Sequence, residues 1–216
     1  MTLMLTLGAN QINRQLDNAD ELLRTYRQTG DIGYEYITYQ PITSRDKLVP
    51  EDLAVTLLVN SRAGYRAFQS IRDNATDLDL TRLPNKSLAD TSDGELHVVA
   101  DVVRQVAKWS GFGASLATKV LHKKRPNLIP ILDNQAIFGA YMNPNWPEQR
   151  SWQETIKSHA RILEALRWIR YDIQSRENMD TWLALHAIEP NHSRIQLFDS
   201  VWWSYFRKRE PVHNKS

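Results

Sequence analysis

A single aspartate stands at the end of the most informative segment of the chain. The turn Gly111-Phe112-Gly113 separates two helical patterns, and Asp133 follows Gly113 by twenty residues, at the start of a third pattern. Aspartate at a helix N-terminus is commonly a cap, whose N–H donors hold the carboxylate ionised and oriented. An oriented carboxylate can also stabilise a developing positive charge or activate water. Asp133 is therefore the candidate for catalysis, with helix capping as the structural alternative.

The segment that leads to Asp133 is basic and contains no acid. Between Val102 and Leu132 there are six cations and neither Asp nor Glu: Arg104, Lys108, Lys119, Lys123, Lys124 and Arg125. Two glycines permit a tight turn, and N–H groups at the start of the next helix favour an anion. We therefore predict DNA contacts from Gly111, Phe112, Gly113, Ser115, Lys119 and Lys123, with the hairpin N–H groups, Lys119 and Lys123 on phosphates. The alternatives are a plain helix–helix turn beside a solvated basic helix, and a Phe112 that only pins the turn.

This segment resembles the hairpin of the helix-hairpin-helix DNA glycosylase superfamily. The family hairpin reads roughly Leu-Pro-Gly-x-Gly-x-x-Thr-Ala, and a catalytic Asp follows the second Gly by about twenty residues. Gly111, Gly113 and Ala117 match, whereas Trp109-Ser110 and Leu116 depart from the pattern. The run Ile129–Asp133 is similar to the adenine-mismatch branch. Three further fragments resemble an uncharacterised bacterial family related to this superfamily: Pro50–Val55, Lys124–Pro126 and Leu197–Trp202.

The resemblance implies a monofunctional DNA glycosylase. In such enzymes a base leaves the stack, and a carboxylate, here Asp133, assists hydrolysis of its N-glycosidic bond. Bifunctional members carry a lysine two residues after the second Gly, where this chain has Ser115, so β-lyase activity is not expected. Lys119 is not assumed to replace that lysine. The substrate is a damaged base or a hypermodified phage base, the second implying antiviral defence. The expected partner is double-stranded DNA, bound by a monomer.

Residues of the base pocket are harder to assign. Aromatic candidates for stacking on a base are Tyr39, Tyr141, Trp146, Trp202 and Trp203, with core packing as the alternative for each. Asp199 lies in an apolar helical stretch and is interpreted as a cap or a core pair, without chemistry. The six histidines show no metal-ligand spacing, so neither a metal nor another cofactor is predicted.

The elements that must position these residues are mostly helical. Helices are expected over 11–28, from Pro50 (burying Leu53, Val55, Leu57 and Leu58), from capping boxes at Ser92/Glu95 and Ser151/Glu154, and over the last apolar stripe from Ile195 to Phe206. The segment 33–48 is compatible with extended structure. We predict a nearly all-α fold, one domain over 1–216 with two helical lobes around a cleft, a hairpin at about 103–124 and a loose tail at 208–216.

Composition bounds the remaining possibilities. The chain has no cysteine, which excludes disulfides, a thiol nucleophile and cysteine-ligated metals. Its net charge is only +2, so a nucleic-acid surface must come from local clustering. No bilayer-spanning run or signal peptide is recognised, and a cytoplasmic location is expected. Two alternatives stay open: a non-catalytic hairpin protein that binds DNA, and a protein–protein adaptor whose basic helix is a solvated face.

Overall fold

The computed structural model describes residues 5–7, 14–16, 19–26, 32–59, 61, 63–143, 156–175, 179–186 and 192–209. These residues form eight α-helices and one two-stranded ladder: β1 (Leu5–Leu7), β2 (Arg14–Leu16), α1 (Ala19–Tyr26), α2 (Ile32–Thr38), α3 (Tyr65–Asn74), α4 (Asp93–Ala107), α5 (Ala114–Lys124), α6 (His159–Ser175), α7 (Met179–His186) and α8 (Arg194–Arg209). A 3₁₀ helix spans Pro50–Val59 and a π-helix spans Ala136–Tyr141. The prediction of a predominantly helical chain is confirmed.

Helix α4 begins where the sequence predicted. The Ser92 hydroxyl accepts from the Glu95 N–H, and the Ser92 N–H donates to the Glu95 carboxylate at 2.8 Å. This reciprocal cap satisfies two of the donors that a helix start leaves free. The apolar stripe Leu96, Val99, Val103 and Val106 is fully buried. Its burial places α4 against α5 and α6, and so fixes the first arm of the hairpin.

One apolar core joins the elements from α1 to α8. Within it, α1 packs against α8, and α8 packs against the π-helix. Tyr141 contacts the rings of Phe198 and Trp202, with both ring centroids 5.0 Å away. The Tyr141 hydroxyl donates to buried Asp172 at 2.8 Å, so its polar end is satisfied inside the core.

Several element boundaries differ from the sequence prediction. Residues 14–16 form β2, paired antiparallel with β1 through Leu5↔Leu16, so the first helix begins only at Ala19. The segment interpreted as extended contains helix α2, because burying Tyr36 and Ile37 against the rest of the fold outweighs the β preference of its aromatic and branched residues. No helix in the described part of the chain has the length and hydrophobicity that crossing a bilayer requires.

The helix predicted from Pro50 is a 3₁₀ helix, and this changes which residues it buries. Leu53 and Val55 are buried as expected, whereas Leu57 is 77% exposed. A period of three residues places Leu53 and Thr56 on the same side and turns Leu57 outward. Helix α6 begins at His159, after non-helical residues 156–158. Ser151/Glu154 and Trp146 lie outside the described residues, as does most of the predicted tail.

Candidate active site

The glycine turn between α4 and α5 requires Gly111. This residue has φ +81°, a conformation that side chains with a Cβ rarely adopt. A Cβ at this position would also lie 2.7 Å from the backbone nitrogen of Ala67 in α3. The Ser70 hydroxyl of the same helix donates to the Ser110 carbonyl at 2.9 Å. Helix α3 therefore supports one side of the hairpin, and only a glycine allows the two backbones to come so close.

The hairpin exposes its backbone more than its side chains. Ser110 and Gly111 are exposed, while Phe112 is only 4% exposed and packs edge-to-face on Trp109, with ring centroids 5.7 Å apart. Gly113 is buried, and the first N–H of α5, from Ala114, donates to the Ile156 carbonyl at 2.9 Å. Phe112 thus pins the turn, the second of its two predicted roles. Within the turn, Ser110 and Gly111 are the residues that a ligand can reach.

Asp133 is held beside the start of α5 by four donors. Its Oδ1 accepts from the N–H groups of Gln135 (2.8 Å) and Ala136 (3.1 Å), as a helix cap does. Its Oδ2 accepts from the Ser115 hydroxyl at 3.2 Å and lies 3.3 Å from the Lys119 ammonium. The side chains of Lys119 and Asp133 are 10% and 13% exposed. The structure therefore brings Ser115, Lys119 and Asp133 together, although Ser115 and Asp133 are eighteen positions apart in the sequence.

The connector that carries Asp133 is fixed from two helices. The Thr118 hydroxyl of α5 accepts from the Leu132 N–H at 2.9 Å. Asp199 of α8 accepts from the Ile131 N–H at 3.1 Å through Oδ2. The Asp133 N–H in turn donates to the Ile131 carbonyl at 3.0 Å. These bonds satisfy the backbone of a short irregular segment and set the position of the carboxylate relative to the hairpin.

A cavity with mainly apolar walls adjoins Asp133. Its lining residues come from several elements: Tyr26, Tyr36, Val59, Lys119, Ile131, Asp133, Ala136, Ile137, Asp199 and Trp203. The cavity volume is about 40 Å³, room for ~3 water molecules. A concave, mostly apolar site with a few convergent polar groups is the usual form of a ligand site. Lys119, Asp133 and Asp199 are the charge-bearing groups that it offers.

Asp199 belongs to this cavity, although the sequence interpretation gave it no chemistry. Oδ2 holds the Ile131 N–H, whereas Oδ1 is shielded from solvent and has no hydrogen-bond partner. Burial, together with the negative charge of Asp133, raises the pKa of Asp199 well above its usual range, against the opposing effect of the Ile131 N–H. One feature of the sequence could have indicated a role for Asp199: it is an acid between Ile195 and Trp202, on the buried face of the last helix.

The ammonium groups of the two predicted phosphate-binding lysines contact other groups of the protein. Lys119 is 8% exposed and its ammonium faces Asp133. The Lys123 ammonium donates to the carbonyls of Ile37 (3.2 Å) and Tyr39 (2.9 Å) and lies 4.4 Å from the centre of the Tyr36 ring. These contacts place a cation at the C-terminal end of α2, where helix carbonyls attract it. The structure thus puts both ammonium groups on internal partners, not on an exposed phosphate-binding face.

The last two cations of the basic stretch are also internal. The Lys124 ammonium lies 2.7 Å from Asp52 Oδ1 and donates to Thr43 and to the Ser44 carbonyl, each at 2.8 Å. Arg125 pairs with Asp46 at 2.6 Å. Helix α5 is mostly buried, so it does not offer the solvated basic face that the adaptor alternative assumed.

Two other cations flank the exposed hairpin backbone. Arg66 lies at the start of α3, where its Cβ would be 3.1 Å from a Cβ added at Gly111. Lys108 caps the end of α4, directly before the turn. Both side chains are exposed, and within the described residues neither forms an ion pair. Together with the backbone of Ser110 and Gly111 they form a small positive surface, which we call the hairpin face.

The aromatic residues proposed for stacking are distributed differently from the prediction. Tyr141 and Trp202 are 2% and 0% exposed in the aromatic core, and Tyr39 is 36% exposed at the end of α2. None of the three lines the cavity beside Asp133. Trp203, one of the further candidates, does line it, together with Tyr26 and Tyr36. Adjacent residues of a helix project about 100° apart, so Trp202 enters the aromatic core while Trp203 reaches the cavity.

Comparison with known proteins gives a family but no activity. No curated protein and no solved structure matches the chain. One family model, described as a family of unknown function (DUF6308), matches residues 19–206. The match includes the hairpin, Asp133 and Asp199, so every residue of the site lies within the region that defines the family. The chain belongs to the DUF6308 family.

Proposed function

We propose that this protein is a monofunctional DNA glycosylase that removes a damaged or modified base from double-stranded DNA. The observation that carries the proposal is the contact between the hairpin helix and Asp133. The carboxylate stands twenty residues after the second glycine and is hydrogen-bonded to Ser115, two residues after that glycine. It adjoins an apolar cavity and is rigidly held, as a group that acts on a developing charge must be.

In the proposed reaction the bond between C1′ and the base nitrogen breaks, and its electrons leave with the base. Positive charge develops on the sugar, and Asp133 stabilises it electrostatically. Water then attacks C1′ and passes a proton to Asp133. The Ser115 hydroxyl and the Lys119 ammonium, at 3.2 and 3.3 Å, orient Oδ2 for this role. Both donors hold the carboxylate in one position before the substrate arrives, which avoids reorganisation during the reaction.

The hairpin face is the proposed contact with the DNA backbone. The exposed residues Ser110 and Gly111 and two exposed cations, Arg66 and Lys108, which form no ion pair among the described residues, suit a phosphate. This contact is sequence-independent, and it would position the duplex so that a flipped base approaches the cavity next to Asp133. The present cavity, of about 40 Å³, is too small for a base, so its walls must move when a base enters.

We propose hydrolysis without strand cleavage. A lyase needs an amine that forms a Schiff base with C1′, and the expected position carries Ser115. Lys119 does reach Asp133, one helical turn further along, but its ammonium is engaged with Oδ2. Reduction with borohydride in the presence of DNA checks this assignment, because an enzyme that uses Lys119 as nucleophile would become covalently linked to the strand.

The second candidate is a hairpin protein that binds DNA and does not excise. It is favoured by one observation: both oxygens of Asp133 already have donors, and the cavity beside them is small. In this alternative Asp133 only caps the π-helix and closes the fold. DNA affinity would then survive substitution of Asp133, and no base would be released by the wild-type protein.

Mass spectrometry of released bases separates the two candidates. Alkylated, oxidised, bacterial and phage-modified duplex DNA is incubated with wild type, Asp133→Asn and Asp180→Asn. Asp180 is an exposed acid paired with Arg194, far along the chain from the hairpin, and its substitution controls for loss of one negative charge. We expect free base and alkali-labile sites from wild type and Asp180→Asn only. Absence of free base from every DNA at high protein concentration would rule out the enzymatic function.

A further inference from the structure

The cavity contains a second acid whose position suggests a separate role. Asp199 lines the same cavity as Asp133 and is tied to the same connector, since it holds the Ile131 N–H while Asp133 donates to the Ile131 carbonyl. The two acids nevertheless have opposite surroundings. Asp133 accepts from four donors, including the Lys119 ammonium. Asp199 has one backbone donor, and its Oδ1 has no partner.

A buried acid oxygen without a partner is costly unless it serves a ligand. Among the described residues, the groups that face Asp199 do not donate a hydrogen bond to Oδ1. Trp203 is its neighbour on α8, and the described walls around it carry Tyr26 from α1, Tyr36 from α2, Lys119 from α5 and Asp133 from the connector. The Lys119 ammonium is engaged with Asp133, and the Tyr36 hydroxyl donates to the Lys119 carbonyl at 2.8 Å. A carboxyl in this setting is most stable with its proton on.

We propose that Asp199 is the proton donor to the leaving base, acting opposite Asp133 in the same cavity. This inference rests on the proposed glycosylase function and defines its substrate class: a neutral base with a ring nitrogen or carbonyl oxygen that can accept a proton. As the C1′–N bond breaks, the Asp199 proton passes to the base, which leaves neutral instead of as an anion. Water supplies the hydroxyl to C1′ and its proton goes to Asp133. Solvent then returns a proton to Asp199 and removes one from Asp133.

Cleavage of a glycosidic bond needs two neighbouring acids that lie in different environments. One acid must be charged to stabilise the sugar, and the other must be neutral to donate. Burial raises the pKa of Asp199 well above its usual range, and the same burial raises that of Tyr36, so both environments favour the protonated form. The apolar wall formed by Ile131, Ala136 and Ile137 maintains this difference by excluding water.

The first test needs no substrate. Infrared spectra of the free protein at pH 7 are recorded for wild type, Asp199→Asn, Asp133→Asn and Ser200→Ala. Asparagine keeps an acceptor for the Ile131 N–H, and Ser200 is a buried neighbour on α8 whose hydroxyl donates within its own helix. We expect a carboxylic-acid carbonyl band in wild type that is lost only in Asp199→Asn. If wild type lacks this band, Asp199 is ionised and the inference fails.

The second test is the pH dependence of single-turnover excision of the base that wild type releases. The wild-type rate should fall as pH rises through the pKa of Asp199, because the donor loses its proton. Asp199→Asn should be slower by ~10²-fold or more and should lack this decline. It should approach the wild-type rate on duplexes carrying a cationic N7-alkylated purine, which needs no proton. An unchanged rate and pH profile in Asp199→Asn, with Asp133→Asn inactive, would overturn the inference alone. No release by wild type would overturn the proposed function, and the inference with it.

Discussion

The two ends of helix α5 lie in different surroundings. At its N-terminal end, Ser115 and Lys119 surround Asp133 beside a cavity, and the exposed turn lies between Arg66 and Lys108. At its C-terminal end, Lys123, Lys124 and Arg125 bind carbonyls and carboxylates of the segment from Ile37 to Asp52. The first end adjoins a cavity and an exposed turn, while the second holds a long irregular segment in place.

Cations that are clustered in the sequence therefore need not form a basic surface on the folded protein. Three of the six cations in the acid-free stretch, Lys123, Lys124 and Arg125, are bound by partners that lie about eighty residues earlier in the chain. These partners restore the local charge balance that the stretch itself lacks. The exposed cations beside the hairpin are fewer, and one of them, Arg66, comes from outside the stretch.

The largest expected effect on folding is at the C-terminal end. Lys124→Met leaves the Asp52 carboxylate buried without its cation, and we expect a loss of about 3–5 kcal/mol in the free energy of unfolding, measured by urea denaturation. The double variant Lys124→Met/Asp52→Leu should recover part of it. Lys86→Ala, which breaks a more exposed pair with Glu95, should cost less than about 1 kcal/mol. Equal losses for Lys124→Met and Lys86→Ala would contradict the structural role of this end.

Gly111 tests the support of the hairpin by α3. Gly111→Ala forces a Cβ into the Ala67 backbone at positive φ, and we expect about 1–3 kcal/mol of destabilisation together with weaker DNA binding. Gly94→Ala is the matched control: its added Cβ meets open space inside α4, and a gain of up to about 1 kcal/mol is expected. Thermal unfolding and DNA titration measure both effects. A Gly111→Ala variant as stable as Gly94→Ala would show that the hairpin is not held as described.

Because His122 is buried at the C-terminal end of α5, it should make the free energy of unfolding depend on pH. Its Nδ1 lies 2.7 Å from the Ile129 carbonyl, and burial, reinforced by the nearby charge of Lys123, lowers its pKa to about 3. Because the unfolded chain binds the proton below about pH 6.5 and the folded protein does not, stability is complete above that pH and falls as pH decreases towards 3. This residue should contribute a slope of about 1.4 kcal/mol per pH unit within that window.

The measurement is denaturant unfolding at several pH values between 7 and 4. The slope should be reduced in His122→Asn and retained in His97→Asn, which removes a histidine from an exposed pair with His159. Only the slope is compared, because either substitution can change the overall stability. If the wild type and His122→Asn lose stability in parallel as pH falls, His122 is not buried in its neutral form.

The sequence predicted the position of Asp133 near the hairpin better than it predicted the residues around it. The twenty-residue interval from Gly113 to Asp133 returns the carboxylate to the hairpin because one short helix and one pinned connector fill it, and both are local in sequence. The Ser92/Glu95 cap is equally local. The hydrogen bonds of Asp199, Lys123 and Lys124 join them to partners 68 to 86 residues away, such as Ile131 and Ile37. No periodicity encodes such pairs, so the cavity could not be assembled from the sequence.

The smallest expected effect concerns the hairpin face. Arg66→Ala and Lys108→Ala should each weaken DNA binding modestly and lower the slope of log affinity against log salt by about 1, because each removes one proposed phosphate contact. Lys86→Ala, a cation outside the hairpin face, should leave that slope unchanged. Fluorescence anisotropy with a labelled duplex over a salt series gives all three values. A loss of slope in Lys86→Ala alone would place the DNA surface elsewhere.

The central claim is that Asp133 catalyses base release and does not merely cap a helix. Its most direct test is single-turnover excision by wild type and Asp133→Asn at protein concentrations that saturate the duplex, with unfolding measured in parallel. Asparagine keeps an oxygen for the Gln135 and Ala136 N–H groups, so folding and DNA binding should be largely preserved. We predict a loss of about 10²–10³-fold or more in the rate of free-base release. Release by folded Asp133→Asn at the wild-type rate would contradict the claim.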